Sequence, residues 1–127
     1  MKISSIILAL CIGSLLSTIV FSNTQINDTE EIVGTWIADG GSFENRWVYH
    51  EDNTLTTYYK NDVYKTYSWT IRDVTTPSGL TLQELILTNT ENPDDERHFQ
   101  IDTLTDVRLI LLYNTGVGLT RNNYFKH

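Results

Sequence analysis

Aromatic residues between positions 47 and 69 are the group in this sequence best suited to chemistry. Side chains at alternate positions of a strand share one face, and the members expected to converge are Trp47, Tyr49, Tyr59, Tyr67 and Trp69. Arg97 and Phe99 share a face of a later strand. Aromatic rings bind apolar or aromatic molecules, hydroxyls orient them, and a guanidinium can meet a carboxylate. The same rings could instead fill a core, and Arg97 could hold its charged end in water.

Residues for catalysis or metal binding are not grouped in this way. His50, His98 and His127 have no serine close in sequence, and no Gly-x-Ser-x-Gly motif is present, so a serine hydrolase is not predicted. The acidic turn 92–96 lacks the alternating acids and the glycine of a calcium loop. We therefore expect a protein that is not an enzyme, with no catalytic residue, metal or cofactor.

The charge balance narrows the classes of partner. The 127 residues include 9 Lys and Arg against 16 Asp and Glu, which gives a formal charge of −7. Nucleic-acid binding and docking on anionic lipid both need a basic face, so neither is expected. This length predicts a single domain. A small hydrophobic molecule or another protein remains as the expected partner.

The N-terminal segment has the pattern of a secretory signal peptide. A positive Lys2 precedes an uncharged apolar run over residues 4–21, and polar residues begin at Ser22. We expect cleavage after Ser22 and export to the periplasm or the extracellular space, with an uncleaved anchor as the alternative. Bulky Leu10 disfavours a lipid anchor at Cys11. Removal of residues 1–22 would leave 105 residues with a charge of −8, no cysteine and no transmembrane span.

The remaining chain predicts a flexible arm over residues 23–31 and one β domain over residues 32–127. Eight strand-like runs alternate with turn clusters, at residues 34–37, 45–50, 54–59, 63–72, 80–89, 97–104, 108–114 and 120–125. No segment keeps a helical period, so crossover helices are not expected and the sheet should be antiparallel. Inward side chains at alternate positions predict an all-β, up-and-down barrel of eight strands. Leu80 and Leu82 lie at even positions, whereas Leu85 and Leu87 lie at odd positions, so the two pairs cannot share one face of a regular strand. This break in alternation predicts a β-bulge near Gln83-Glu84 or a strand that starts later.

The first strand opens with Gly34-Thr35-Trp36. This motif resembles the Gly-x-Trp start of the lipocalin and calycin families, and the layout downstream is similar to small lipocalin-like proteins of bacterial envelopes. The resemblance implies that Gly34 and Trp36 close one end of the barrel. It also implies that the tryptophan packs against an arginine of the last strand, for which Arg121 is the candidate.

Two functions follow from a barrel of this size. An eight-stranded barrel is just wide enough to be filled by side chains or to hold one small ligand. The first hypothesis is non-catalytic binding of a small apolar or aromatic molecule. The alternative is a protein-binding module with a filled barrel, such as an inhibitor of a secreted hydrolase, which could use the arm at residues 23–31. The third hypothesis is an envelope accessory protein whose barrel is filled by side chains and which acts through its surface.

Overall fold

A computed structural model describes residues 29–127 of the chain. The predicted signal peptide, Cys11 and most of the predicted arm lie outside the described residues. The chain separates into two units, Met1–Glu30 and Glu31–His127, and the strands of the described residues belong to the second. Residues 29–32 form a helical turn. Among residues 29–127 there is no helix with the length and apolar character needed to cross a membrane.

The strands form one closed barrel in chain order. They are β1 (Gly34–Ala38), β2 (Trp47–Tyr49), β3 (Thr54–Tyr59), β4 (Asp62–Thr75), β5 (Thr81–Asn89), β6 (Glu96–Leu104), β7 (Arg108–Asn114) and β8 (Leu119–Lys126), with a 3-10 turn at Phe43–Asn45. Each strand pairs antiparallel with the next, and β8 pairs with β1. The predicted fold class, an all-β antiparallel up-and-down barrel of eight strands, is confirmed.

The turn residues set the hairpin boundaries. Asn53, Lys60 and Asn61 adopt φ angles of 67°, 52° and 70°, which asparagine tolerates better than most residues. β4 runs further than predicted because Asp73 and Val74 pair with residues 82–83 of β5. The hydrogen-bonded pairing of β4 with β5 therefore continues up to the loop at residues 76–80.

The predicted bulge near Gln83-Glu84 is wrong. The register between β4 and β5 runs without interruption from Thr81 to Asn89. The alternative, a strand that starts later, holds for Leu80, which is exposed in the loop before β5, whereas Leu82 lies within β5 and is half-buried. Shifts of register occur instead between β3 and β4 beside Tyr58, and between β6 and β7 near residues 101–103.

Side chains fill the body of the barrel. The alternation that predicted the strands also predicted which residues point inward, and the buried members of the strands are mainly those at alternate positions: Trp36, Tyr49, Leu55, Tyr67, Trp69, Leu85, Leu87, Phe99, Ile101, Leu109, Leu111 and Tyr124. These buried side chains occupy much of the barrel interior.

The tryptophan of the Gly-Thr-Trp motif is buried and contacts the helical turn at residues 29–32 and the last strand. Trp36 is fully buried, and its Nε1 donates a hydrogen bond to the Ile32 carbonyl at 2.8 Å. The Nζ of Lys126 lies 5.2 Å from the centroid of the Trp36 ring and donates to the Glu31 carbonyl at 3.0 Å. A Cβ at residue 34 would lie 2.9 Å from the Cε of Lys126, which is too close. Glycine at position 34 therefore leaves the space that the lysine side chain occupies.

The expectation that Arg121 packs against this tryptophan is wrong. Arg121 pairs with Leu112 on the outer face, and its guanidinium lies 3.4 Å from the carboxylate of Asp102. Trp36 instead lies opposite Lys126 in the β1–β8 register. Side chains of a strand alternate between two faces, so the position of Arg121, an odd number of residues from Lys126, points it away from the tryptophan.

Candidate functional site

A pocket lies at one end of the barrel. The up-and-down topology gathers the β1–β2, β3–β4, β5–β6 and β7–β8 connections at this end, which we call the open end. The pocket has a volume of about 280 Å³ and is lined by Asn45, Trp47, Thr57, Tyr58, Tyr59, Tyr64, Lys65, Tyr67 and Arg97. Its size is near the lower end of about 300–1,000 Å³ that is usual for small-molecule sites. We refer to it as the mouth pocket.

Four of the seven predicted ligand-binding residues line the mouth pocket. Trp47, Tyr59 and Tyr67 contribute rings, and Arg97 contributes a guanidinium. The structure therefore brings together side chains from β2, β3, β4 and β6. Their contact with a ligand stays a prediction.

The other three predicted residues lie in the core and do not line this pocket. Tyr49 and Trp69 are buried and meet edge to face, with ring centroids 6.0 Å apart. Phe99 is buried and lies 5.2 Å from the Tyr113 ring. These three side chains fill the barrel, as the alternative interpretation of the aromatic group proposed.

Sequence reasoning missed five of the lining residues, namely Asn45, Thr57, Tyr58, Tyr64 and Lys65. Lys65 could have been found, because it shares the inward face of its strand with Tyr67. Tyr64 could not, because the register shift beside Tyr58 brings it to the pocket. Its ring centroid lies 6.4 Å from that of Tyr59.

Hydrogen bonds donated by two backbone amides fix one wall of the mouth pocket. The amide of Lys60 donates to Oδ1 of Asn45 at 2.9 Å, and the amide of Asn61 donates to the Glu44 carbonyl at 3.0 Å. The β1–β2 connection is thereby fastened to the β3–β4 hairpin. A wall that is already ordered lowers the entropy lost when a ligand binds.

Arg46 reinforces the same wall from outside. Its guanidinium lies 4.5 Å from the Phe43 ring centroid and 4.0 Å from that of Tyr58. Its Nη1 also donates to Oδ1 of Asn61 at 2.9 Å. A guanidinium stacked on aromatic faces is attracted by the ring quadrupole, so these contacts hold the connection against the hairpin.

The inner side of the mouth pocket is apolar and uncharged. The Trp47 ring lies 5.4 Å from that of Tyr124, and burial raises the pKa of Tyr124 to about 12. The buried hydroxyl of Thr57 is used within the protein, since it donates to the Lys65 carbonyl at 3.0 Å and accepts from the Lys65 amide at 3.1 Å. This surface suits an aromatic ring better than a charged group.

The charged lining residues are both cations. Lys65 and Arg97 contribute to the pocket wall, and no carboxylate is among its lining residues. Nε of Arg97 lies 3.3 Å from Oδ1 of Asp95, which is outside the lining. Hydrogen bonds from Asn89 and Arg97 lower the pKa of Asp95, so this carboxylate is ionised near neutral pH.

A second cluster of charged groups lies on the outside of the barrel. Nε2 of His98 is 2.6 Å from Glu96, its Nδ1 is 3.2 Å from Glu84, and Arg72 lies 2.8 Å from Glu84. Bonds to Glu96 and Glu84 raise the pKa of His98. The cluster bridges three strands as a ladder of opposite charges. Within residues 29–127, no group of three histidine, cysteine or acidic residues could hold a metal ion.

The fold and the pocket define a class of protein: a closed antiparallel barrel of eight strands with an aromatic pocket at its open end. No protein-family model matches the chain, and no curated protein and no solved structure is significantly similar to it. The function is therefore inferred from the geometry and chemistry of the mouth pocket.

Proposed function

We propose that this protein is an exported, lipocalin-like barrel that binds a small apolar or aromatic molecule and does not transform it. The observation that carries the proposal is the mouth pocket, an aromatic-lined space of about 280 Å³ at the open end of a barrel whose interior holds a core of buried side chains. Trp36 of the Gly-Thr-Trp motif, which is fully buried, supports the lipocalin-like assignment. The signal-like segment at residues 1–22 supports export.

The core limits the size of the ligand. Tyr49, Trp69 and Leu55 are buried within the barrel, so a ligand can occupy only the outer part of the interior. A long acyl chain would need the space that these side chains fill. A compact molecule with one or two fused rings suits the pocket, because rings pack favourably against Trp47, Tyr59 and other aromatic side chains.

Isothermal titration calorimetry with 2-naphthamide, an uncharged aromatic probe, tests this proposal. We expect saturable binding with one site on the wild-type protein. The Tyr64→Ala variant, which removes one aromatic wall, should weaken binding by about 3- to 10-fold. Val63→Ala is the matched control, because Val63 is exposed on the same hairpin and does not line the pocket. Absence of binding, or equal losses in the two variants, would contradict the proposal.

A separate observation favours the protein-binding alternative. Val117 in the β7–β8 connection and Leu119 at the start of β8 are 98% and 66% exposed. Apolar side chains exposed together mark protein–protein interaction sites more often than other surface does. They lie at the open end, so a hydrolase bound there would cover the mouth pocket.

Inhibition assays separate this alternative from ligand binding. A panel of secreted proteases and glycosidases would be assayed with wild-type protein and with the Val117→Ser, Leu119→Ser double variant. The alternative predicts an inhibition that the double variant loses while its affinity for 2-naphthamide is unchanged. Lack of inhibition across the panel would count against a hydrolase inhibitor.

A further inference from the structure

The mouth pocket has a charge opposite in sign to that of the whole chain. The chain carries a formal charge of −7, whereas the lining of the pocket includes Lys65 and Arg97 and no acidic residue. Fixed charges that line a concave site act on a ligand at short range, where solvent screens them less than at an open surface. The pocket is therefore suited to an anion within an acidic protein.

Asp95 orients Arg97 and leaves part of it for another partner. The carboxylate contacts Nε of Arg97 at 3.3 Å, and its other oxygen accepts from Asn89 at 3.2 Å. The terminal nitrogens of Arg97 have no hydrogen-bond partner within the described part of the chain. A guanidinium held through Nε can still present its terminal nitrogens to an incoming carboxylate.

The balance of charge around the pocket matches a single negative charge. Asp95 interacts electrostatically with both Arg97 and Lys65, so these three groups counted together carry one net positive charge. One positive charge remains uncompensated. A monoanion would neutralise it, whereas a cationic ligand would meet two like charges in the wall and a dianion would leave one charge unpaired.

We propose that the mouth pocket selects aromatic carboxylic acids, with the carboxylate held by Arg97 and Lys65 and the ring packed against Trp47, Tyr59 and Tyr64. This inference rests on the proposed function and specifies its ligand class. The planar fork of arginine matches the two oxygens of a carboxylate, and the lysine adds a point charge. The aromatic lining supplies the rest of the binding surface.

Two probes that share a ring and differ in charge test the inference. Calorimetric titration with 2-naphthoate and with 2-naphthamide compares an aromatic acid with its uncharged amide. The side chain of Arg97 is 45% exposed, so solvent reduces the effect of the charge. We expect the acid to bind about tenfold more tightly than the amide at low salt, and this preference to fall as salt is added.

Charge-neutralising variants assign the preference to the two cations. Arg97→Gln and Lys65→Gln should each weaken binding of 2-naphthoate by about 3- to 10-fold more than they weaken binding of 2-naphthamide. Arg108→Gln is the matched control, because it removes the same charge at the opposite end of the barrel, where Arg108 lies beside Phe125. Thermal melts establish that each variant is folded.

The outcomes separate the inference from the proposed function. Equal affinity for the acid and the amide would overturn the inference and leave binding of an aromatic molecule intact. A preference for the acid that survives in both pocket variants would also overturn it, because other groups would then hold the carboxylate. Failure of both probes to bind would overturn the proposed function and the inference with it.

Discussion

We expect removal of the Tyr49 hydroxyl group to stabilise the protein. The side chain of Tyr49 is 1% exposed, and within the described residues its Oη has no hydrogen-bond partner. Burial, with a smaller contribution from Tyr124, raises the pKa of Tyr49 well above its ordinary value. A buried polar group without a partner costs about 1–3 kcal/mol. Tyr49→Phe keeps the ring and removes that cost, so the free energy of unfolding should rise by about 1 kcal/mol.

Thr57→Val is the matched control in the same core. Thr57 is 4% exposed, and its hydroxyl exchanges hydrogen bonds with the carbonyl and the amide of Lys65. Valine preserves the shape and leaves two backbone groups with one partner fewer. This variant should lose about 1–3 kcal/mol. The two deletions of a hydroxyl therefore have opposite signs because only one hydroxyl has partners.

Urea unfolding followed by tryptophan fluorescence and far-UV circular dichroism measures both effects. The change is read from the transition midpoint at constant m-value, since a changed m-value would indicate an altered denatured or native state. A loss of 1 kcal/mol or more in Tyr49→Phe would refute the reasoning, because the hydroxyl must then be hydrogen-bonded in solution.

Three further predictions concern other parts of the barrel. Lys126→Met should lower the free energy of unfolding by about 1–2 kcal/mol, whereas Arg121→Met on the outer face should change it by less than about 0.5 kcal/mol; urea titration compares them. Two glutamates raise the pKa of His98, so its stabilising contribution is complete below about pH 6.5 and is lost as pH rises through the raised value. Melting curves of His98→Gln should lack this component, and an unchanged pH profile would contradict it. Absorbance at alkaline pH should show Tyr124 ionising near pH 12, and Tyr124→Phe should remove that late step.

Much of the fold could be predicted because alternation and turn chemistry agree. The bounds predicted at residues 54–59 and 108–114 are those of β3 and β7. Both strands belong to hairpins in which polar turn residues directly follow the last paired residue, so the end of the pairing is visible in the sequence. β4 was predicted too short because Asp73 and other polar residues beyond Arg72 resemble a turn. Pairing with β5 overrides that local preference.

The site was harder to predict because alternation gives the face of a residue and not its depth in the barrel. Trp47 and Tyr49 share a face, yet the first lines the mouth pocket and the second lies in the core. Depth depends on the registers of all eight strands together. The contact of Lys126 with Trp36, in contrast, could have been predicted from the sequence. Lys126 lies two residues after Tyr124 in the last strand, so both side chains point to the same, buried face.

The closure of the barrel has a consequence for the order in which the chain folds. Residues 34–36 pair with β2, and residues 36–38 pair with residues 124–126 of β8. β1 is thus joined to the strand that is synthesised last among the eight, and its second neighbour is absent until then. Contacts between distant parts of a chain slow folding, because the intervening loop must be ordered first. We therefore expect the contact between Trp36 and Lys126 to form late in folding, once β8 can pair with β1.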